Sequence, residues 1–218
     1  MDTIFSTPAP FAVDTDPRPL FLSALDTATQ VIGAIRPDQL DAPTPCTEYD
    51  VRQLLGHLVG VLPRVAAMGR GADPMSVGDA PAGVADDAWP ATWRAVADDA
   101  AAAWRDDAAL ERTVVLPWAT DTGAAALLGY VNEITVHTWD LARATGQEPA
   151  WNDEAVGRAL NLMHTWLPGE HRAEIFAEVR KSMGPAAADA PDAFAEAVSV
   201  PAGAPLIDRL VAWNGRRP

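Results

Sequence analysis

Four stretches of the chain repeat apolar residues at helical spacing, and each leaves a stripe that must be buried against another element. The first is predicted over roughly Leu20 to Ile35, with Phe21, Leu25, Ala28, Ile32 and Ile35 on one face. The second is predicted to open at Thr47, read as an N-cap with Asp50 as its capping-box partner, and to run to about Gly69. Its stripe is Val51, Leu54, Leu58, Val61 and Val65. The third carries Trp89, Trp93, Val96, Ala100 and Trp104, while Asp98, Asp99, Asp106 and Asp107 form a solvated opposite face. The fourth spans about Thr122 to Thr145 and stops at Gly146, a natural residue for a left-handed helix end. Four such helices joined by loops predict an all-α chain built on a four-helix bundle.

The connections are read from proline, glycine and aspartate. RPDQLDAPTPC and GRGADPMSVGDAPAGVADDA are loops, and RTVVLPWAT is a short extended connector. Residues 1–16 read as a flexible, proline-punctuated arm, residues 17–150 as the bundle, and residues 151–218 as an extension that wraps it. Within the extension, helices are expected at Glu154 to Trp166, in HRAEIFAEVRKSM and at Leu206 to Trp213, with a short strand at Ala197–Val200.

Composition removes several function classes. With 30 Asp and Glu against 16 Lys and Arg, the formal charge of −14 disfavours nucleic acid and anionic membrane surfaces as partners. The N-terminus shows no basic segment leading into an apolar core, and charges interrupt every apolar run before spanning length. A cytoplasmic protein is therefore expected, with monomer and homodimer both open. Cys46 is the single cysteine, which excludes an internal disulfide and a cysteine-based zinc cluster. It reads as a small buried hydrophobe, or as a thiol acidified by a neighbouring helix N-terminus.

The chemistry concentrates on two of the helices. His57 shares the inward stripe of Leu54 and Val61, and His137 sits between Ile134 and Leu141. Glu133 lies one turn before His137. Two inward imidazoles and an adjacent carboxylate invite a divalent cation, because a buried carboxylate without a partner is costly. Three protein ligands are the number found at open, catalytic zinc sites, and the same set suits iron or nickel. The spacing equally allows two core histidines and a Glu–His surface pair. Asp140 reads as a surface partner of Arg143, or as a carboxylate receiving the second ring N–H of His137. His164 and His171 read as structural or exposed. No Gly-rich phosphate loop, serine-nucleophile elbow or H-E-x-x-H motif is present.

The segments TPCTEYDVRQLLGH and EITVHTWDLARATG resemble the two hallmark motifs of the mycothiol-dependent maleylpyruvate isomerase N-terminal domain family, in the DinB/YfiT-like bundle superfamily. The ending FAEAVSVPAGAPLIDRLVAWNGRRP resembles an uncharacterised actinobacterial subgroup. Thr138 stands where many members have Gly, and Tyr49 where many have Trp. The resemblance implies a DinB-like four-helix bundle with metal ligands at His57, Glu133 and His137, usually for zinc, and mycothiol as cosubstrate. The isomerase itself carries a separate C-terminal α/β domain, for which this tail is too short.

The implied function is a metal-dependent transferase or isomerase-like enzyme that activates a thiol for attack on a small electrophile. Tyr130, one turn before Glu133, is a conceivable proton donor. The same ligands would serve a metal-dependent hydrolase, and a non-catalytic metal-binding bundle acting as a stress or binding module is the remaining alternative.

Overall fold

The computed structural model describes residues 15–78, 81–116, 119–167, 169–183 and 194–218. Most of the predicted N-terminal arm, residues 1–14, lies outside them. Helix α1 spans Arg18–Gly33 and enters through Pro17 and Pro19, where fixed φ and a missing N–H cost nothing. Helix α2 spans Val51–Gly69, α3 spans Trp89–Ala103 and α5 spans Gly123–Thr145. A single turn, α4 at Ala108–Glu111, precedes a hairpin. The four long helices form a ring in which α1 and α2 each pack against both α3 and α5. Their stripes meet in one core that includes Phe21, Leu54, Leu58, Trp93 and Leu127.

Two indoles tie the ring together besides filling it. Trp93 Nε1 donates to Thr29 Oγ1 on α1 at 2.8 Å, and Trp104 Nε1 donates to the Val65 carbonyl on α2 at 2.9 Å. Each buried ring thereby has its polar atom satisfied.

The start of α2 differs from the sequence expectation. Asp50, not Thr47, is the N-cap: its carboxylate accepts from Gln53 N at 2.8 Å, and the Gln53 side chain accepts from Asp50 N at 3.0 Å. The residues before it are held in a turn of their own. Thr44 Oγ1 donates towards the carbonyls of Cys46 and Tyr49, and Tyr49 N bonds the Cys46 carbonyl at 2.9 Å. A bridge between Pro43 and Asp50 then fixes the extended backbone from which the helix starts.

The connector before α5 also differs. Thr113–Leu116 (β1) and Ala119–Thr122 (β2) pair antiparallel, Thr113 opposite Thr122, as a hairpin rather than a short extended connector. Four residues on each side are too few to announce a hairpin by alternation alone. Its exit needs Gly123, where a Cβ would stand 2.0 Å from the Ala109 carbonyl oxygen. At the far end of α5, Gly146 takes φ 70°, and its N–H and that of Gln147 close the last turn.

Beyond the ring, α6 (Asp153–Trp166) packs on α5 and α1, and α8 (Leu206–Trp213) packs on α6 and α5. Helix α7 spans Arg172–Met183. The strand expected at Ala197–Val200 is not formed. Val198 N bonds the Ala212 carbonyl at 2.9 Å and Ala197 N the Gly169 carbonyl at 3.4 Å, so this backbone serves a helix end and a loop instead of a neighbouring strand. Among the described residues no helix is long and apolar enough to cross a membrane.

Candidate metal centre

Helices α2 and α5 bring together the three residues singled out in the sequence. His57 Nε2 lies 2.8 Å from Glu133 Oε1, and His137 Nε2 lies 3.4 Å from the same oxygen. The imidazole centroids are 4.9 Å apart with the rings nearly perpendicular. One ligand atom from each of the three falls within 4.8 Å of the others. The alternative of a Glu133–His137 surface pair is therefore incomplete, since a third side chain from another helix joins them.

Exposure is graded across the cluster. The side chains of His57 and Glu133 are 27% and 22% exposed, that of His137 only 10%. Tyr49 stacks on His57, centroids 5.5 Å apart and planes 23° off parallel, so an aromatic ring walls the more open side.

Electrostatics favour charge separation here. Burial penalises the Glu133 carboxylate, yet His137 and His57 outweigh it and hold the group well below the usual carboxylate range. Burial also opposes a charged His137, but Glu133 and Asp140 prevail and push its pKa up to about 9. Two imidazoles share one carboxylate oxygen, and that oxygen carries a charge which a divalent cation would balance better than one proton. The donor set of two ring nitrogens and one carboxylate oxygen fits such a cation.

Asp140 corrects the surface reading. It is fully buried, meets His137 Nδ1 at 3.1 Å and pairs with Arg216, while Arg143 lies over the Trp139 ring, 5.7 Å from its centroid. Because Nδ1 is engaged, Nε2 is the nitrogen that faces Glu133.

Cys46 is part of a second grouping with His137 and Asp140, also within 4.8 Å. The Arg216 guanidinium already supplies the positive charge there. The thiol is not acidified as a helix N-terminus would make it: burial, the largest influence, raises its pKa. With the cap at Asp50, Cys46 stands outside the first turn of α2.

His164 is exposed and meets the Trp213 ring edge-on, 4.2 Å between centroids. His171 is exposed, at φ 64°, with Glu174 3.6 Å away. Both lie apart from the cluster. Tyr130 is half-buried, its pKa raised by burial and by the Glu133 charge and eased by Arg64. Arg64 follows His57 by two turns on α2, and its Nε is buried without a hydrogen-bond partner. Neither Arg64 nor Arg216 stood out in the sequence. Arginines at helical spacing look like surface charges, and nothing local to the tail marks Arg216 as the partner of a residue 76 positions earlier.

The model of the mycothiol maleylpyruvate isomerase N-terminal domain matches residues 21–142, from α1 through Asp140. Uncharacterised proteins from two Mycobacterium tuberculosis strains, H37Rv and CDC 1551, are each 28% identical over 201 residues, covering 92% of this chain and 98% of the relative. No solved structure matches the chain.

Proposed function

The chain belongs to the mycothiol maleylpyruvate isomerase N-terminal domain family, and from that premise we propose that it is a metal-dependent, thiol-using transferase or isomerase-like enzyme. In this reading His57, Glu133 and His137 hold a divalent cation, zinc by preference and nickel or iron as alternatives. Mycothiol is the thiol cosubstrate. One observation carries the proposal: two imidazole Nε2 atoms from different helices converge on a single Glu133 oxygen at the half-open end of the cluster.

When bound, the cation supplies a Lewis acid beside which a thiol loses its proton near neutral pH. The chain's own residues account for the rest. Glu133 contributes the negative charge that holds the cation, and Asp140 keeps the His137 ring turned with Nε2 inward. Tyr49, stacked on His57, keeps water from that flank of the imidazole. The sulfur attacks an electrophilic carbon, forming a C–S bond as the electron pair of the attacked double bond moves to the adjacent carbon. In this reading Tyr130, held protonated by its surroundings, gives that carbon a proton. Return of that proton to Tyr130, with loss of the sulfur after rotation about the new single bond, completes an isomerisation, and retention of both completes a transfer. Arg64, a cation with a buried unpaired Nε on the His57 face of α2, offers a position for an anionic group on the electrophile.

The test is metal analysis of protein never exposed to chelator, coupled to thiol consumption over a panel of electrophiles with and without mycothiol. About one equivalent of metal and mycothiol-dependent turnover support the reading. Well under one equivalent of zinc, iron and nickel ends it, and turnover without thiol redirects it to hydrolysis.

A further inference from the structure

Asp140 is fully buried one turn beyond His137, and its oxygens are shared between two partners. Oδ2 meets His137 Nδ1 at 3.1 Å and accepts from Arg216 Nη2 at 3.0 Å, while Oδ1 lies 3.3 Å from Arg216 Nε. The guanidinium thus grips the carboxylate at two points, which fixes its plane as well as its position.

Arg216 is fixed in turn. It is 8% exposed, and its Nη1 donates to the Asn214 carbonyl at 2.9 Å. The Asn214 side chain exchanges amide hydrogen bonds with Asn132 on α5, at 3.1 and 2.9 Å. Gly215, at φ 84°, turns the chain so that Arg216 N reaches the Val211 carbonyl at 2.9 Å. The segment after α8 is therefore pinned to α5 at Asn132 and at Asp140, the two positions that flank Glu133 and His137.

Burying an ion pair is a poor route to stability, since desolvation offsets most of the attraction. What this pair does supply is orientation. With both oxygens of Asp140 located by the guanidinium, the His137 ring has one hydrogen-bonded setting, and in it Nε2 faces Glu133. We infer that Arg216 is a positioning residue for the metal centre, holding His137 in its ligating orientation through Asp140. This inference rests on the reading of His57, Glu133 and His137 as metal ligands. It also gives the C-terminal segment, which lies beyond the residues matched by the family model, a role at the centre.

The test is a double-mutant cycle in the full chain, with zinc affinity as the readout. Arg216→Met should weaken zinc binding about tenfold or more, the range seen for partners that orient metal-bound histidines. In an Asp140→Asn background the same change should cost little more. Arg216→Lys, which keeps the charge without the fork, should fall between parent and Arg216→Met. Affinity of Arg216→Met within twofold of the parent, or an equal loss in both backgrounds, would overturn the inference.

A second readout uses zinc-free protein. The His137 Nδ1 proton should give an exchange-protected imidazole resonance in the parent and lose protection in Arg216→Met or Arg216→Lys. If the parent binds no zinc but the resonance responds in this way, the positioning stands and the metal reading falls. A resonance unaffected by either substitution overturns the positioning itself.

Discussion

His57 Nε2 and Glu133 Oε1 lie 2.8 Å apart although 76 residues separate them along the chain. The contact joins α2 to α5, two elements whose packing rests on apolar side chains such as Leu54, Leu58, Leu127 and Leu141. Replacing any of the three converging side chains should therefore remove function at small cost to the fold. His57→Ala, Glu133→Gln and His137→Ala should each reduce zinc affinity by more than the roughly 10–100-fold typical of an orienting neighbour. Circular dichroism should show the helical content retained. A variant that keeps stoichiometric zinc through dialysis would remove that residue from the ligand set.

The metal-free protein should carry a pH signature. A histidine whose folded pKa exceeds its unfolded value of about 6.5 stabilises the fold fully below that value, and its contribution disappears as pH rises through the folded pKa. For His137 that window closes at about 9. Glu133, held low, contributes above the ordinary carboxylate pKa of about 4.3 and loses its contribution as pH falls through its depressed value. The melting temperature of chelator-treated protein should accordingly drop between pH 6.5 and 9.5 by more than that of His137→Ala. Equal slopes would show that the ring gains nothing from its neighbours.

Cys46 should behave as a slow thiol. Burial raises its pKa, so the rate of alkylation by iodoacetamide should reach half its maximum at a higher pH than for a free cysteine. Cys46→Ala should retain zinc affinity within about twofold of the parent, well inside the loss expected of a ligand or of a residue that orients one. Loss of zinc on this substitution would make the thiol a ligand.

The two candidate caps of α2 can be separated by stability. Asp50→Ala removes the acceptor for Gln53 N and should cost about 1 kcal/mol, read from urea denaturation. Thr47→Ala should cost less, because no cap depends on its hydroxyl. The reverse order would return the helix start to Thr47.

How much of this was legible beforehand follows from the range of each interaction. Helical periodicity and end signals are local, so α5 was readable from its stripe to the left-handed Gly146, and α8 from Leu206 to Trp213. The placement of Glu133 and His137 on one side of α5 is likewise a consequence of their four-residue separation. Thr47 and Asp50 are both good acceptors, and the choice between them falls to the Pro43–Asp50 bridge and the turn over Cys46–Tyr49. The paired hairpin and the missing strand at Ala197–Val200 depended on which backbone lay alongside, which alternation within four residues does not encode.

By itself, then, the sequence determined the long helices, their apolar stripes and the placement of His57 and His137 beside those stripes, because these depend on spacing within one element. Tertiary packing decided that His57 meets Glu133, that Asp140 faces Arg216 rather than Arg143, and that Cys46 lies beside them. Such pairings depend on how helices cross and where the last residues of the chain return, and those are settled by shape complementarity over the whole core. A polar residue's partner is chosen from whatever that packing brings within hydrogen-bond reach.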